Sequence, residues 1–192
     1  MAWINHAADY GLTAGPALVH GASMDELYNQ FFFDDYAAVN SALLAEYLGS
    51  LQAGTVRKTH LFDGRYETIY IDREDLASIS KLIPFWIDTA ATVLGRPSGE
   101  LQCGFWFNVM RPGDITLPHS HNDDDELLSG VYFVKVPEHS RELVLYQGNT
   151  SYDIQPEEGK LVLFSSSTEH EVTRNDSQEM RLSIGMNFGR KR

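Results

Sequence analysis

The chain has 192 residues, a length that suits one domain. Its 43% hydrophobic content is sufficient for a packed core and argues against a disordered chain. The formal net charge of −12 argues against binding to nucleic acid or to anionic lipid, because both require a basic face. We therefore expect neither a nucleic-acid partner nor a membrane partner.

Three features of the sequence indicate a cytoplasmic protein. Cys103 is the single cysteine, so no disulfide can form within the chain. No apolar run approaches the roughly 18–20 residues of a membrane span. The N-terminal residues lack the basic and apolar regions of a signal peptide.

Residues 1–99 carry mainly helical patterns. A capping box, Ser23-Met-Asp-Glu26, precedes a run of apolar residues at helical spacing: Val39, Leu43, Leu44, Tyr47, Leu48 and Leu51. A second helix is predicted from after Asp72 to Leu94 and ends at Gly95, with a kink or a break at Pro84. Between the helices, Thr59–Phe62 and Tyr66–Ile71 flank Asp63-Gly64 and predict a hairpin.

Residues 100–190 carry short strands that are separated by turn signals, without a helical stretch. This pattern predicts an antiparallel barrel, on which the helices pack to form a single domain over residues 1–192. The predicted strands are Leu101–Val109, Leu128–Val136, Glu142–Tyr146, Leu161–Ser165, His170–Thr173 and Met180–Phe188.

Three of the seven histidines have a spacing that suits a metal site. His119 and His121 point to the same side of an extended segment, and His170 opens a later strand. Imidazoles combined with a carboxylate suit non-haem iron(II). Asp123 gives a second ligand set, because His121-Asn-Asp123 has the His-x-Asp spacing. The spacing leaves both sets open: His119, His121 and His170, or His121, Asp123 and His170.

A candidate anion-binding pair follows eleven residues after His170. Arg181 and Ser183 share one face of a strand whose other face is apolar. If the apolar face packs on the helices, Arg181 faces the barrel interior and requires an anionic partner there. A guanidinium beside a hydroxyl is suited to binding a carboxylate.

Five segments together resemble the 2-oxoglutarate- and iron(II)-dependent oxygenases, in particular a bacterial and phage branch with a His-x-His pair before a Ser-Gly-Val-Tyr strand. The segments are Gly113-Asp-Ile-Thr-Leu-Pro-His-Ser-His121, Leu128-Ser-Gly-Val-Tyr-Phe-Val134, Glu158-Gly-Lys-Leu-Val-Leu-Phe164, His170-Glu-Val172 and Arg181-Leu-Ser-Ile184. The resemblance covers about residues 100–190 and implies an α+β fold, a double-stranded β-helix (jelly-roll) barrel with N-terminal support helices.

The resemblance also implies an activity and its site. Iron(II) is expected on His119, His121 and His170, with Asp123 as the alternate ligand. The cosubstrate 2-oxoglutarate is expected on Arg181 and Ser183, with Asn108 and Tyr132 as further contacts. The implied reaction oxidises a C–H bond of the substrate while 2-oxoglutarate is decarboxylated to succinate.

Two other readings compete. A cupin-type metalloprotein would use Glu126 as a fourth ligand and leave Arg181 and Ser183 unexplained. A binding module without metal would keep its histidines for packing. The substrate, a small molecule or a peptide, is not identified by the sequence. The run Phe31–Phe33 fits either a buried segment or the surface of a homodimer.

Overall fold

A computed structural model describes residues 27–62, 65–121 and 126–191. These residues form two α-helices, α1 (Tyr36–Ala53) and α2 (Ile79–Leu94), and two short 3₁₀ turns. The strands are β1 (Tyr28–Phe32), β2 (Arg57–Phe62), β3 (Arg65–Tyr70), β4 (Leu101–Met110), β5 (Thr116–His119), β6 (Glu126–Lys135), β7 (Leu143–Gln147), β8 (Thr150–Ile154), β9 (Lys160–Ser165), β10 (His170–Val172) and β11 (Arg181–Arg190).

The strands form two antiparallel sheets. The larger sheet has the order β1-β9-β6-β11-β4-β3-β2, and the smaller has the order β5-β10-β7-β8. From β4 onward the chain passes back and forth between the two sheets, which is the winding of a jelly roll. The three strands from the first part of the chain, β1, β2 and β3, extend the larger sheet at its two edges.

The long strand β11 shows why the larger sheet has two different faces. Alternate residues of a strand point to opposite sides. Leu182, Ile184 and Met186 pack in one core cluster with buried residues of both helices. Ser183 and Gly185 line a cavity on the opposite face. Arg181 shares that face by alternation and is 1% exposed.

The helices largely follow their sequence signals. Helix α1 contains the predicted apolar run, and α2 ends at Gly95, which adopts a left-handed conformation with φ 61°. Helix α2 begins at Ile79, later than predicted, because Arg73–Asp75 forms a 3₁₀ turn. Pro84 lies inside this one continuous helix. The hairpin of β2 and β3 is confirmed, whereas the capping box Ser23–Glu26 lies outside the described residues.

Three strands were not predicted: β1, β5 and β8. The run Phe31–Phe33 falls partly in β1, which pairs with β9. Phe31 is buried in the core, Phe33 packs against Phe85, and Phe32 is partly exposed beside the Lys160 ammonium. Among the described residues, neither helix is long and apolar enough to cross a membrane.

Candidate metal centre

Three histidines converge between the ends of two paired strands. His119 ends β5, His121 follows two residues later, and His170 begins β10. The antiparallel pairing places His170 directly opposite His119. The ring centroids are 4.3 Å apart for His119 and His170, 5.1 Å for His119 and His121, and 5.3 Å for His121 and His170. Their candidate ligand atoms all lie within 4.8 Å of one another.

Backbone carbonyls orient two of these rings. His119 Nδ1 lies 2.8 Å from the Leu117 carbonyl oxygen, and His170 Nδ1 lies 3.0 Å from that of Thr168. A carbonyl oxygen can only accept, so each Nδ1 is the donor and each Nε2 keeps its lone pair for a metal. The backbone N–H of His121 donates to the Ser166 carbonyl at 2.9 Å and ties this residue to the loop before His170.

The environment of His170 keeps its imidazole neutral. The residue is 5% exposed, and burial lowers the pKa of His170 to about 3, with smaller contributions from the neighbouring His119 and His121. A neutral imidazole is the form that binds a metal, so His170 is ready to act as a ligand at neutral pH. His119 is exposed, which leaves one side of the cluster open.

A small cavity extends from the histidines into the barrel. Asn108, Thr116 and Ser183 contribute polar side chains to its lining. Asn108 Oδ1 and Thr116 Oγ1 are buried and have no hydrogen-bond partner among the described residues. Unsatisfied buried polar atoms are costly, so these two mark a place where a polar ligand would stabilise the protein.

Arg181 lies one interior position beyond Ser183 along β11. One terminal nitrogen, Nη1, donates to the carbonyl oxygens of Ser140 and Arg141 at 3.2 and 3.3 Å. The other, Nη2, lies 3.0 Å from Met110 Sδ, and the guanidinium carbon is 5.8 Å from the centroid of the Phe133 ring. These contacts orient the guanidinium inside the barrel.

Sequence comparison relates one segment of this site to a known family. A family model described as "Putative 2OG-Fe(II) oxygenase" matches residues 147–187, which include His170, Arg181 and Ser183. This segment of the chain is therefore similar to 2-oxoglutarate- and iron(II)-dependent oxygenases, and the match does not extend to His119 and His121. None of the curated proteins matches the sequence at a significant level.

Several solved structures have the same fold. The prolyl-4-hydroxylase of Pseudomonas putida has a TM-score of 0.70 and 20% identity, over 85% of this chain and 93% of that chain. The alpha-ketoglutarate-dependent carbocyclase SnoK from nogalamycin biosynthesis has a TM-score of 0.73 and 12% identity, over 92% of this chain and 87% of that chain. The epimerase SnoN, solved with Fe3+, alpha-ketoglutarate and nogalamycin RO, has a TM-score of 0.66 and 14% identity, over 85% and 78%. The predicted double-stranded β-helix is thereby confirmed.

Tyr132, an expected cosubstrate contact, lies away from the cavity beside the histidines. Tyr132 lies on the helix-facing side of β6, where its ring contacts Trp86 at a centroid distance of 5.7 Å. Its hydroxyl donates to Asn40 Oδ1 at 2.9 Å, and the Asn40 amide donates in turn to the carbonyls of Phe133 and Val134. The tyrosine therefore anchors α1 to the sheet, and burial raises its pKa.

Three residues that line the cavity beside the histidines were not predicted as site residues. Thr116 lies on β5, a strand that was itself not predicted. The Trp106 indole lies against Gly185, where a Cβ would come within 2.6 Å of it, and its centroid is 5.5 Å from that of His121. Phe164 contacts His170 at a centroid distance of 4.8 Å. Two aromatic side chains thus flank the histidines.

Phe164 also lines a second, larger cavity of about 340 Å³. Among the described residues, its lining combines apolar residues with hydroxyl and amide side chains and includes no charged residue: Leu27, Asn29, Val93, Leu128, Tyr146, Gln147, Leu163, Ser165, Ser167 and Thr168. Thr168 belongs to this lining, and its carbonyl accepts from His170 Nδ1. This cavity therefore lies close to the histidines.

Two further ligand candidates came from the sequence: Asp123 as the alternate iron ligand, and Glu126 as the fourth ligand of a cupin-type site. Asp123 lies outside the described residues. Glu126 is described, but it does not belong to the group of converging ligand atoms. Asn175, which follows His170 in the chain, is fully buried and donates its amide to the carbonyls of Met110 and Glu179. These placements give no support to a cupin-type site.

Proposed function

We propose that the chain is a 2-oxoglutarate- and iron(II)-dependent oxygenase in which His119, His121 and His170 hold the iron(II) as three neutral imidazoles. The observation that carries the proposal is their convergence within 4.8 Å, with two Nδ1 atoms committed to backbone carbonyls. Imidazole nitrogens suit iron(II), and a three-histidine set leaves positions for a chelating cosubstrate. Asp123 remains the alternate ligand.

We further propose that the interior face of β11 binds 2-oxoglutarate. Arg181 would attract the carboxylate farther from the metal, and the hydroxyls of Ser183 and Thr116 would donate to it. The Asn108 amide would lie beside the cosubstrate along the cavity. The buried Thr116 hydroxyl, which has no hydrogen-bond partner among the described residues and can donate to a carboxylate, supports this assignment.

Iron and 2-oxoglutarate together supply the oxidising chemistry, with oxygen as the oxidant and carbon dioxide and succinate as products. The residues of the chain bind and orient. Arg181 and the hydroxyls fix one end of 2-oxoglutarate, and the histidines fix the position of the metal. Trp106 and Phe164 shield the histidines from solvent on two sides. No side chain is required as a general base in this scheme.

The proposed substrate is a small molecule or a peptide whose uncharged part occupies the cavity of about 340 Å³. Its hydroxyl- and amide-bearing lining suits a ligand with hydrogen-bonding groups on an apolar body. We also propose a cytoplasmic location, on the basis of the single cysteine, which fits a reducing compartment.

Anaerobic mixing with iron(II) and 2-oxoglutarate tests this function. A weak visible charge-transfer band is expected for the wild type, and air should then give succinate. Arg181→Ala should still bind iron but should lose about 10- to 100-fold in 2-oxoglutarate affinity, because a charge-assisted hydrogen-bonded contact is removed. Arg181→Lys keeps the positive charge, so its loss of 2-oxoglutarate affinity should be smaller than that of Arg181→Ala. A wild type that gives neither band nor succinate would remove the proposal.

A further inference from the structure

Asp176 holds the turn that orients Arg181. This carboxylate lies on the loop between β10, which begins with His170, and β11, which begins with Arg181. It accepts from Arg141 Nε at 2.7 Å and lies 2.7 Å from Arg141 Nη2 through the same oxygen. Its backbone N–H donates to the His139 carbonyl at 3.0 Å. One residue thus binds the turn of residues 137–141 at two points.

The turn has an unusual backbone that needs such support. His139 has φ 63° and Arg141 has φ 60°, values in the left-handed region that side chains other than glycine rarely adopt. The conformation persists only where surrounding contacts enforce it. The carboxylate of Asp176 and its backbone N–H supply contacts of this kind on either side of Ser140.

The consequence of this backbone lies inside the barrel. With the turn in place, the carbonyls of Ser140 and Arg141 both accept from Arg181 Nη1. These two hydrogen bonds restrict rotation of the guanidinium, so the turn contributes, together with Met110 Sδ at Nη2, to the direction in which Arg181 presents its N–H groups. Arg181 is 1% exposed, whereas Asp176 and Arg141 lie at the surface with side chains 38% and 53% exposed.

We propose that Asp176 is a positioning residue for 2-oxoglutarate, acting through Arg141 and the turn on the guanidinium of Arg181. The inference rests on the proposed role of Arg181 in binding the cosubstrate. Asp176 touches neither the cosubstrate nor the metal, and it affects binding only by fixing the direction of a buried cation. A surface ion pair thereby contributes to affinity inside the barrel.

The first test compares Asp176→Ala with a matched control. The control is Arg174→Gln. Arg174 is a second arginine near Asp176, with its Nε 3.7 Å from Asp176 Oδ1, and its replacement leaves the pair of Asp176 and Arg141 intact. Asp176→Ala should weaken 2-oxoglutarate binding about fivefold in the anaerobic titration, with unchanged iron(II) affinity. Arg174→Gln should bind both like the wild type. Equal 2-oxoglutarate affinity in the wild type and Asp176→Ala would overturn the inference.

Arg141→Gly provides a second route to the same result. Glycine accepts φ 60° without strain, so this variant removes the pair with Asp176 and keeps the backbone free to adopt the turn. It should weaken 2-oxoglutarate binding as much as Asp176→Ala, and the double variant should show no further loss. Additive losses, or a parallel fall in iron affinity, would mean general damage to the fold and would contradict the inference.

A measurement without cosubstrate separates this inference from the proposed function. In ¹⁵N spectra of the guanidinium groups, the Arg181 signals are assigned by their absence in Arg181→Lys. Rotation of the Arg181 Nη groups should be slow in the wild type and in Arg174→Gln, and faster in Asp176→Ala. A wild type without the charge-transfer band would refute the proposed function alone. Unchanged Arg181 rotation in Asp176→Ala would refute the positioning role alone.

Discussion

The ligand set can be tested at the scale of single residues. His170→Ala removes the most buried imidazole of the cluster and should abolish tight iron(II) binding, measured as metal content after anaerobic loading and desalting. His60→Asn is the matched control. His60 lies far from β10 in sequence, on the outer hairpin, and asparagine tolerates its φ of 56°. The control should bind one equivalent of iron like the wild type.

Asp123→Asn distinguishes the two ligand sets within the same experiment. If the three histidines hold the metal, this variant should retain iron and His119→Ala should lose it. The reverse result, with iron lost in Asp123→Asn and kept in His119→Ala, would establish the set of His121, Asp123 and His170. A full metal content in His170→Ala would remove the histidine site in either form.

Single residues also show what the sequence can predict about the site. His119, His121 and Arg181 were singled out because two imidazoles at positions i and i+2, and an arginine in an otherwise apolar strand, can be recognised from the sequence alone. The structure brings the histidines together, and their role remains a prediction. Tyr132 was misplaced because both faces of β6 are buried, so polarity does not reveal which face a residue occupies. Trp106 and Thr116 give no signal until the strands are paired, because an indole or a hydroxyl is equally common in a core.

At the scale of elements, the contact between α1 and β6 depends on Tyr132. Tyr132→Phe leaves Asn40 Oδ1 without its donor, so we expect a loss of about 1–2 kcal/mol in the free energy of unfolding in urea. Affinity for 2-oxoglutarate should not change, since the ring lies on the helix side of the sheet. Tyr152→Phe is the control. Its hydroxyl makes an exposed 3.4 Å contact with Gln147, and its removal should alter stability very little.

Stability and cosubstrate affinity should therefore separate in Tyr132→Phe. A variant that unfolds like the wild type but binds 2-oxoglutarate markedly more weakly would return Tyr132 to the cosubstrate site and contradict the structure. Arg181→Lys should behave in the opposite way. Its affinity for 2-oxoglutarate should change, whereas its free energy of unfolding should change little.

The strands that were missed share a physical reason. β5 has four residues and includes Pro118, a residue that weakens any strand prediction. β8 is largely exposed, and β1 lies next to the residues where a helical pattern begins. Long strands with buried faces, such as β4, β6 and β11, were found to within a few residues. The local sequence pattern thus predicted the long buried strands of the barrel. The short or exposed strands β1, β5 and β8 depend on pairing with neighbouring strands, which the local pattern does not show.

At the scale of the whole molecule, charge opposes the cosubstrate. The chain carries a formal net charge of −12, and 2-oxoglutarate is a dianion. Three neutral imidazoles leave the full charge of iron(II) uncompensated, and the Arg181 cation lies in the same barrel. Iron(II) and Arg181 would attract 2-oxoglutarate at short range, whereas the net negative charge of the chain repels it at long range. Salt should weaken the long-range repulsion more than the short-range attraction, because buried groups are screened far less than distant surface charges.

This difference predicts an unusual salt dependence of association. The Debye length falls from about 30 Å at 0.01 M salt to about 8 Å at 0.15 M, which removes most of the long-range repulsion. The rate constant for 2-oxoglutarate association should therefore rise about two- to fivefold over this range. Anaerobic stopped-flow spectroscopy of the charge-transfer band measures it, with a salt whose anion does not bind iron. The dissociation rate should change less, because the contacts it breaks are buried. An association rate that falls as salt is added would show that local positive charge governs the approach as well as the bound state.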